Sequence, residues 1–457
     1  MSVIVLGGGV SGLSAAFFCA QRGLSVTLVE QSNSLGGWFS SRRTASGVLI
    51  EEGPHSFRPV GNSGLSAVKL IEELGLLDEA LGTSNEAKKR FVWTRGKMHE
   101  LPSSIVGLFM SPLTRTVPWL AVRNLLMKRG VSDKDESVYD FISQRFSPYV
   151  AETLLDSMIS GIYAGDIRRL SVNACFPILR DMENEHGSVV RGLLSGMFKP
   201  TSKTVLEDAR ANALLLSTGI SFKNGLQQLT SSLEQQTFSK PNTKVYRSNG
   251  VAAILENGQV RLVDGELLKA DTVISTVPIP SLARAIPDQS ALIQLNNQTS
   301  FASVGVVNVA YNSMEHLPLR GFGHLVPSRD MDGILGVIYD SEVFPGQQPH
   351  GVSCVTVMMG GMQLPHNGRL PQDQMKQLAL QKLHEHLGIT DIPLVISARN
   401  HHDAIPQFAL NHKSLVAEIR ADLKSRMPFL KIIGNNFGGV GIADSIAAAR
   451  DAVDELS

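Results

Sequence analysis

Two kinds of apolar pattern alternate along this chain. One is a short run without a polar break, which suits a strand buried on both faces. The other is a longer segment with apolar positions every three or four residues, which suits an amphipathic helix. Residues 3–6 (VIVL) and 25–29 (SVTLV) are runs of the first kind, and residues 11–22 between them read as a helix that stops at Gly23. Residues 48–57 read as a strand running into a loop, and residues 62–81 as a helix. Residues 91–93 and 97–99 make a hairpin turned at Arg95-Gly96. Further on, residues 225–235 read as a helix and residues 244–246, 251–255 and 259–263 as a small meander, with Asn257-Gly258 as its hairpin turn. Residues 271–277, 303–311, 333–339 and 352–359 follow as strands, and residues 371–387 as a helix. The end repeats the beginning: an apolar strand at 429–433, a glycine-rich turn at 434–441 and a helix at 442–453.

The middle differs. Residues 136–160 and 172–195 look helical, so 90–210 reads as a mostly α insertion. Within it, residues 103–127 are apolar, broken by Pro112 and Pro118, with Arg115 and Arg123 but no acid, and Lys128-Arg129 follow. This stretch is either an amphipathic surface that dips into a membrane face or a buried helical hairpin.

Composition narrows the partners. The 457 residues are 43% hydrophobic, enough for two or three domains with large cores. Lys plus Arg and Asp plus Glu each number 42, so the net charge is zero and nothing points to nucleic acid. Cys19, Cys175 and Cys354 are far apart and odd in number, which gives no disulfide framework and no C-x-x-C motif. His401-His402 and His384 with His386 lack a metal-ligand pattern and read as solvated or helix-surface residues, so no metal is expected. A strand that begins at residue 3 is expected to leave no room for a cleavable leader, and no apolar run is long enough for a membrane span.

The first turn carries the chemistry. Gly7-Gly8-Gly9-Val10-Ser11-Gly12 fits G-x-G-x-x-G: Gly7 for the tight turn, Gly9 for backbone approach to a pyrophosphate, Gly12 for helix packing on the strand. The helix N-terminus faces the anion. Glu30 closes the second strand, where a carboxylate holds a ribose hydroxyl and would repel the 2′-phosphate of NADP. Leu35-Gly36-Gly37-Trp38 is a second glycine turn, in which Trp38 either covers the nucleotide or fills the core.

The dinucleotide turn, the acidic strand end, the Gly36-Gly37 turn and the Glu51-x-Gly53-Pro54 loop resemble the FAD-containing amine oxidase and protoporphyrinogen oxidase superfamily, and the C-terminal glycine turn and helix match the segment that closes over its flavin. Within it the chain is similar, nearly end to end, to the protoporphyrinogen oxidase family of animal mitochondrial type. Gly321 to Ser328 (GFGHLVPS), Gly336 to Ser341, Gly165 after Tyr163-Ala164, Leu170-Ser171 and Ile405 to Phe408 carry that similarity. The resemblance implies an α/β protein: a Rossmann-type FAD-binding domain (1–89, 211–280, 398–457), an interleaved α+β substrate domain (281–397) and the helical, possibly membrane-associating insertion (90–210).

The same resemblance implies noncovalent FAD, with Gly7, Gly8, Gly9, Val10, Ser11, Gly12, Glu30, Trp38, Gly53, Pro54, His55, Ser56, Val251, Asn435, Val440, Gly441 and Ile442 around it. It implies protoporphyrinogen IX and O2 as reactants. Arg90 would pair with a propionate, Phe322 and Leu325 would sandwich a pyrrole ring, Gly161 would leave room for the macrocycle, and Met358 would lie near the pocket. The residues alone leave other readings open: a solvated charge at Arg90, sheet core at Phe322, Leu325 and Met358, and an inter-helix turn at Gly161. Hydride loss pushed by a pyrrole nitrogen needs no general base, so no catalytic acid or base is named. Peripheral membrane association, a homodimer and a place on the intermembrane-space side of the mitochondrial inner membrane are implied as well. Two departures stand out: His55 occupies the place of the family's loop arginine, with Arg58 three residues on, and Ser160 replaces a basic pocket position. The rival readings are an amine oxidase and a Rab-escort-like protein without redox chemistry, which a bound flavin would exclude.

Overall fold

The computed structural model describes residues 1–102, 105–127, 130–132, 134–198, 206–312 and 319–456. Positions 103–104 and 128–129 of the apolar basic stretch lie outside them. The chain divides into two units, one formed by Met1–Thr83, Leu206–Thr299 and His412–Ser457, the other by 84–205 and Ser300–Asn411.

The first unit is built on a parallel sheet in the order Leu430–Ile432, Thr272–Ser275, Ser2–Leu6, Ser25–Val29, Thr243–Tyr246. Side chains alternate across a strand, so the unbroken apolar run at the N-terminus feeds two cores. Val3 and Val5 join Leu13 and Phe17 of helix Val10–Gln21, Val68 of helix Gly61–Glu73, Leu233 of helix Gln227–Phe238 and Ile446 of helix Ile442–Asp454. Ile4 and Leu6 join Leu282 of helix Ile279–Ala285, Leu292 of helix Ser290–Gln298 and Ile419 of helix His412–Arg426.

Two expectations are corrected here. Residues 243–246 are not in the meander; they extend the parallel sheet beside Ser25–Val29, while Val251–Ile254, Gln259–Leu262 and Leu267–Lys269 form the three-stranded antiparallel sheet. The helix expected over 62–81 ends at Glu73. Gly75, at φ +70°, donates to the Glu72 carbonyl and Leu76 to the Ile71 carbonyl, a left-handed helix stop, and Ala80–Gly82 then pairs with Ile220–Phe222.

The second unit is built on a seven-stranded sheet in the order Val395–Gln407, Ser300–Tyr311, Ser353–Gly360, Gly336–Ile338, Gly323–Leu325, Phe91–Thr94, Lys97–Glu100. All its pairings are antiparallel except that of Gly323–Leu325 with Phe91–Thr94. Arg95 (φ 54°) and Gly96 (φ 69°) close the hairpin, the paired positive φ values that suit the twist of a two-residue turn. Helix Gln372–Leu387 covers one face through Met375, Ala379, Leu383 and Leu387.

The unit boundaries differ from those drawn on the sequence. Helices Ile279–Ala285 and Ser290–Gln298 bury Leu282, Leu292 and Leu295 in the first unit. Strand Val395–Gln407 pairs along its length with Ser300–Tyr311 and so belongs to the second.

Residues 138–163 and 172–198 are helical apart from short connections, as the pattern predicts. Buried Arg145 holds Glu183 at 2.6 Å and Glu136 at 3.0 Å, and Arg180 holds Glu136 at 2.6 Å. Both guanidiniums lie over the Phe141 ring.

Candidate functional site

In the first unit the residues assigned to FAD come from strand–helix turns. Behind the first turn stands Thr276, whose hydroxyl donates to the Leu6 carbonyl at 2.9 Å. The turn is tight. A Cβ on Gly12 would sit 1.9 Å from the Gly7 carbonyl oxygen, and one on Gly7 2.5 Å from Thr276 Oγ1. At Gly9, by contrast, a Cβ would meet no chain atom within 4 Å. That open side is the space a pyrophosphate needs. The helix starting at Val10 has no side-chain cap at Gly9, so its first N–H groups are not engaged by a capping side chain.

Glu30 is pinned rather than loose. Its carboxylate accepts the Gly8 N–H at 2.6 Å and the Ser32 N–H at 2.8 Å, while the Glu30 N–H donates to the Tyr246 carbonyl at 2.8 Å. The second glycine turn folds over the first: Gly36 N–H donates to the Gly8 carbonyl at 2.8 Å, and a Cβ on Gly37 would lie 3.1 Å from Gly9 Cα. Trp38 is 44% exposed, which removes the core-filling reading. Gly53 presses on the Trp38 carbonyl, 2.0 Å from where a Cβ would be. Pro54 and Ser56 are half-buried, His55 is buried and Arg58 is exposed. Val251 begins the three-stranded sheet opposite Leu262, just after the turn in which Asn249 N–H donates to the Glu30 carbonyl.

The C-terminal turn meets the same place. A Cβ on Gly434 would lie 3.7 Å from Ser11 Oγ. Asn436 Nδ2 donates to Asn435 Oδ1 at 2.7 Å, and Asn436 Oδ1 accepts the Ile279 N–H. Helix Ile442–Asp454 begins at Gly441 with no side-chain cap, after half-buried Val440, so a second helix N-terminus accompanies the first. The uncapped helix end at Val10, the open face at Gly9 and the oriented Glu30 carboxylate fit a dinucleotide, while at the second helix end the Asp444 carboxylate lies against the Gly439–Gly441 turn. Sequence reading missed Thr276 and, although it singled out the loop that Glu51 opens, not what buried Glu51 holds: it accepts Leu226 N–H at 2.5 Å and the Ser41 hydroxyl at 2.6 Å.

In the second unit, sheet register gathers several of the residues that the resemblance assigns to substrate. Met358, Gly336, Leu325 and Val92 form one row across four strands. Gly161 stands beside that row; a Cβ there would be 2.9 Å from Leu325 Cδ2. It lies inside helix Asp156–Tyr163, between exposed Met158 and Ile162, and not in a turn between helices. Phe322 N–H donates to the Lys89 carbonyl at 2.8 Å, which sets Arg90 beside it, with its guanidinium 5.3 Å from the Phe322 ring centroid. Phe322 and Leu325 are half-buried while their neighbours Gly323 and His324 are buried, so the pair is not sheet core. Met358 is half-buried against Ala164, Val306 and Leu335. Ser160 is buried.

Below this row lies a cluster that sequence reading missed. His386, expected on a helix surface, is buried and stacks on Trp93 at 4.1 Å between centroids. It falls on the apolar stripe of Met375, Ala379, Leu383 and Leu387, a spacing visible in the sequence.

The chain belongs to the flavin containing amine oxidoreductase family, whose pattern matches residues 10–457. Within that class it is 35% identical to the Homo sapiens protein named protoporphyrinogen oxidase, over 99% of this chain and 97% of that one. It is 28% identical to the Bacillus subtilis (strain 168) coproporphyrinogen III oxidase, over 99% and 97% of the two chains. The fold matches a solved structure from Exiguobacterium sp. 255-15 with TM-score 0.82 at 23% identity, covering 100% of this chain and 98% of that one.

Proposed function

We propose that this chain is an FAD-dependent oxidase that converts protoporphyrinogen IX to protoporphyrin IX in haem synthesis. The observation that carries the proposal is the 35% identity, over nearly the whole of both chains, to a protein named for that reaction. The Gly7–Gly12 turn, Glu30 and the C-terminal turn would hold FAD, which would supply two-electron oxidation, and three rounds with O2 reduced to hydrogen peroxide would account for the six electrons. This chain's residues would orient and exclude water. Half-buried Phe322 and Leu325 offer apolar surface to a pyrrole ring, the bare Gly161 lets the Leu325 side chain settle against its helix, and Arg90 offers a guanidinium to a propionate. FAD would be held noncovalently. Burial pushes the Cys19 and Cys175 thiols up to about 12, Cys354 is buried, and none belongs to the C-terminal turn.

The test is porphyrin fluorescence after adding protoporphyrinogen IX to flavin-loaded protein in air, against an enzyme-free control. A flavin-dependent rise is expected, with coproporphyrinogen III, which carries two more propionates, turned over less well. No rise above the control from protein with a normal flavin spectrum would overturn the reading and favour an amine substrate.

The same reading includes a peripheral membrane surface. Helices Ile105–Met110 and Val117–Leu126 expose Phe109, Met110, Trp119, Val122 and Leu126, and residues 103–127 hold no acid. No helix among the described residues is long and apolar enough to cross a membrane. Trp119→Asp with Leu126→Asp should abolish co-sedimentation with anionic liposomes; unchanged binding would sink this part. A homodimer and a location on the intermembrane-space side of the mitochondrial inner membrane rest on the family resemblance.

A further inference from the structure

His324 sits between the two side chains proposed to contact the pyrrole ring, yet it points into the core and is bonded at both nitrogens. Nδ1 lies 2.9 Å from the Tyr339 hydroxyl and Nε2 2.9 Å from His386 Nδ1. His386 Nε2 lies 3.2 Å from Asp332 Oδ1, an ion-pair distance without hydrogen-bond alignment, so this last link is electrostatic. Lys382 closes the far end, with Nζ 3.4 Å from Asp332 and 2.7 Å from Glu385. Its ammonium therefore already supplies a cation to the Asp332, Glu385 and His386 group that has metal-like spacing.

Charge gives this chain a direction. Burial, aided by His386 and opposed by Asp332, holds His324 down at about 3, so its ring is neutral. A neutral imidazole donates from one nitrogen and accepts at the other. Burial pulls Asp332 up, but His386 and Lys382 outweigh it and keep the carboxyl below its ordinary range, so it is ionised. When His386 is neutral, the carboxylate draws its single N–H to Nε2; His386 Nδ1 then accepts the Nε2–H of His324, and His324 Nδ1 accepts the Tyr339 hydroxyl proton.

The strand that bears His324 needs such a tether. Gly323–Leu325 has three residues, Gly323 stands at φ +143°, and its partner strand opens with Gly336, where a Cβ would meet the His324 carbonyl oxygen at 2.5 Å. A three-residue pairing with a glycine at each end, Gly323 opposite Ile338 and Gly336 opposite Leu325, holds register weakly. We propose that His324 is a positioning residue: the directed chain Tyr339–His324–His386–Asp332 fixes this strand so that Phe322 and Leu325 keep the spacing that grips the macrocycle. The positional half of this proposal rests on the substrate reading above; the proton order does not.

Two experiments test it. Nitrogen NMR of protein labelled at histidine, recorded at alkaline pH where the His386 ring is neutral, should show His324 protonated at Nε2 and bare at Nδ1; the opposite tautomer would overturn the chain. In flavin-loaded enzyme, Tyr339→Phe removes only the hydroxyl, and His386→Phe keeps the stack on Trp93. Each should raise KM for protoporphyrinogen IX roughly five-fold, the factor that about 1 kcal/mol from one lost hydrogen bond gives, with kcat and flavin content unchanged. Unchanged KM in both, or loss of kcat and flavin together at constant KM, would overturn the positioning role. Wild-type protein without activity would instead sink the substrate reading, and the NMR result would still decide the proton order.

Discussion

The two units build their candidate sites from different materials. In the first, the candidate site is mostly backbone: strand–helix turns at Gly7–Gly12 and Gly434–Gly441 present two helix ends, with the Glu30 carboxylate pinned beside the first and Asp444 at the second. In the second, side chains do it, and they come from segments far apart in the chain, brought into a row by the register of Met358, Gly336 and Leu325. A backbone site is local and intolerant of any added carbon. A register site is dispersed, and each residue can be changed with a graded effect. The expected mutant phenotypes should divide along that line.

The largest effect belongs to Gly12→Val, whose Cβ would lie 1.9 Å from the Gly7 carbonyl oxygen. Purified protein should carry no flavin by absorbance and show no activity; a normal flavin spectrum would break the comparison. Arg90→Ala should leave flavin content intact but raise KM for the porphyrinogen by roughly 10- to 100-fold, the cost of one charged hydrogen bond. A fall in flavin occupancy instead would mean that Arg90 serves the cofactor. Gly9→Ala sharpens the contrast, since its methyl meets no chain atom within 4 Å. Thermal stability of the apoprotein should not move, while flavin affinity drops roughly ten-fold because the methyl takes ligand space, a loss of about 1.4 kcal/mol. Gly161→Ala puts a carbon 2.9 Å from the flexible end of Leu325. A few-fold rise in KM with unchanged flavin is expected from steady-state kinetics. Smallest is the acid limb. Because the Asp332 carboxyl is held below its ordinary 3.8, its ionisation stabilises the fold fully above that value and the contribution is lost as pH falls through the lower folded value. The melting-temperature gap between wild type and Asp332→Asn should therefore be widest near neutral pH and close in acid.

The same division explains what could be read from the residues alone. The stretch from Val3 to Glu30 and the turns at Arg95-Gly96 and Asn257-Gly258 were legible because each is a local pattern with a local cause. The strand at 243–246 was recognisable as a strand, but its neighbour was not, since a short apolar run does not name its partner. Gly161 resembled a turn because glycine inside a helix looks like a break; only the facing Leu325 shows why it is there. Trp38 needed its exposure, and His386 needed the stripe on which it lies. The chain of His324, His386, Tyr339 and Asp332 draws on one strand, the residue just past another, a loop and a helix, and no spacing rule connects them.

Helix Val10–Gln21 packs against helix Ile442–Asp454, and strand Ser2–Leu6 lies between Ser25–Val29 and Thr272–Ser275. During translation, the first strand and helix therefore leave the ribosome long before one neighbouring strand and the closing helix exist. Their apolar faces have to wait for contacts far apart in sequence, the kind that close slowly. A message cut short before residue 442 would yield a chain with half a cradle, and bound flavin becomes a yellow marker that synthesis ran through to the last helix.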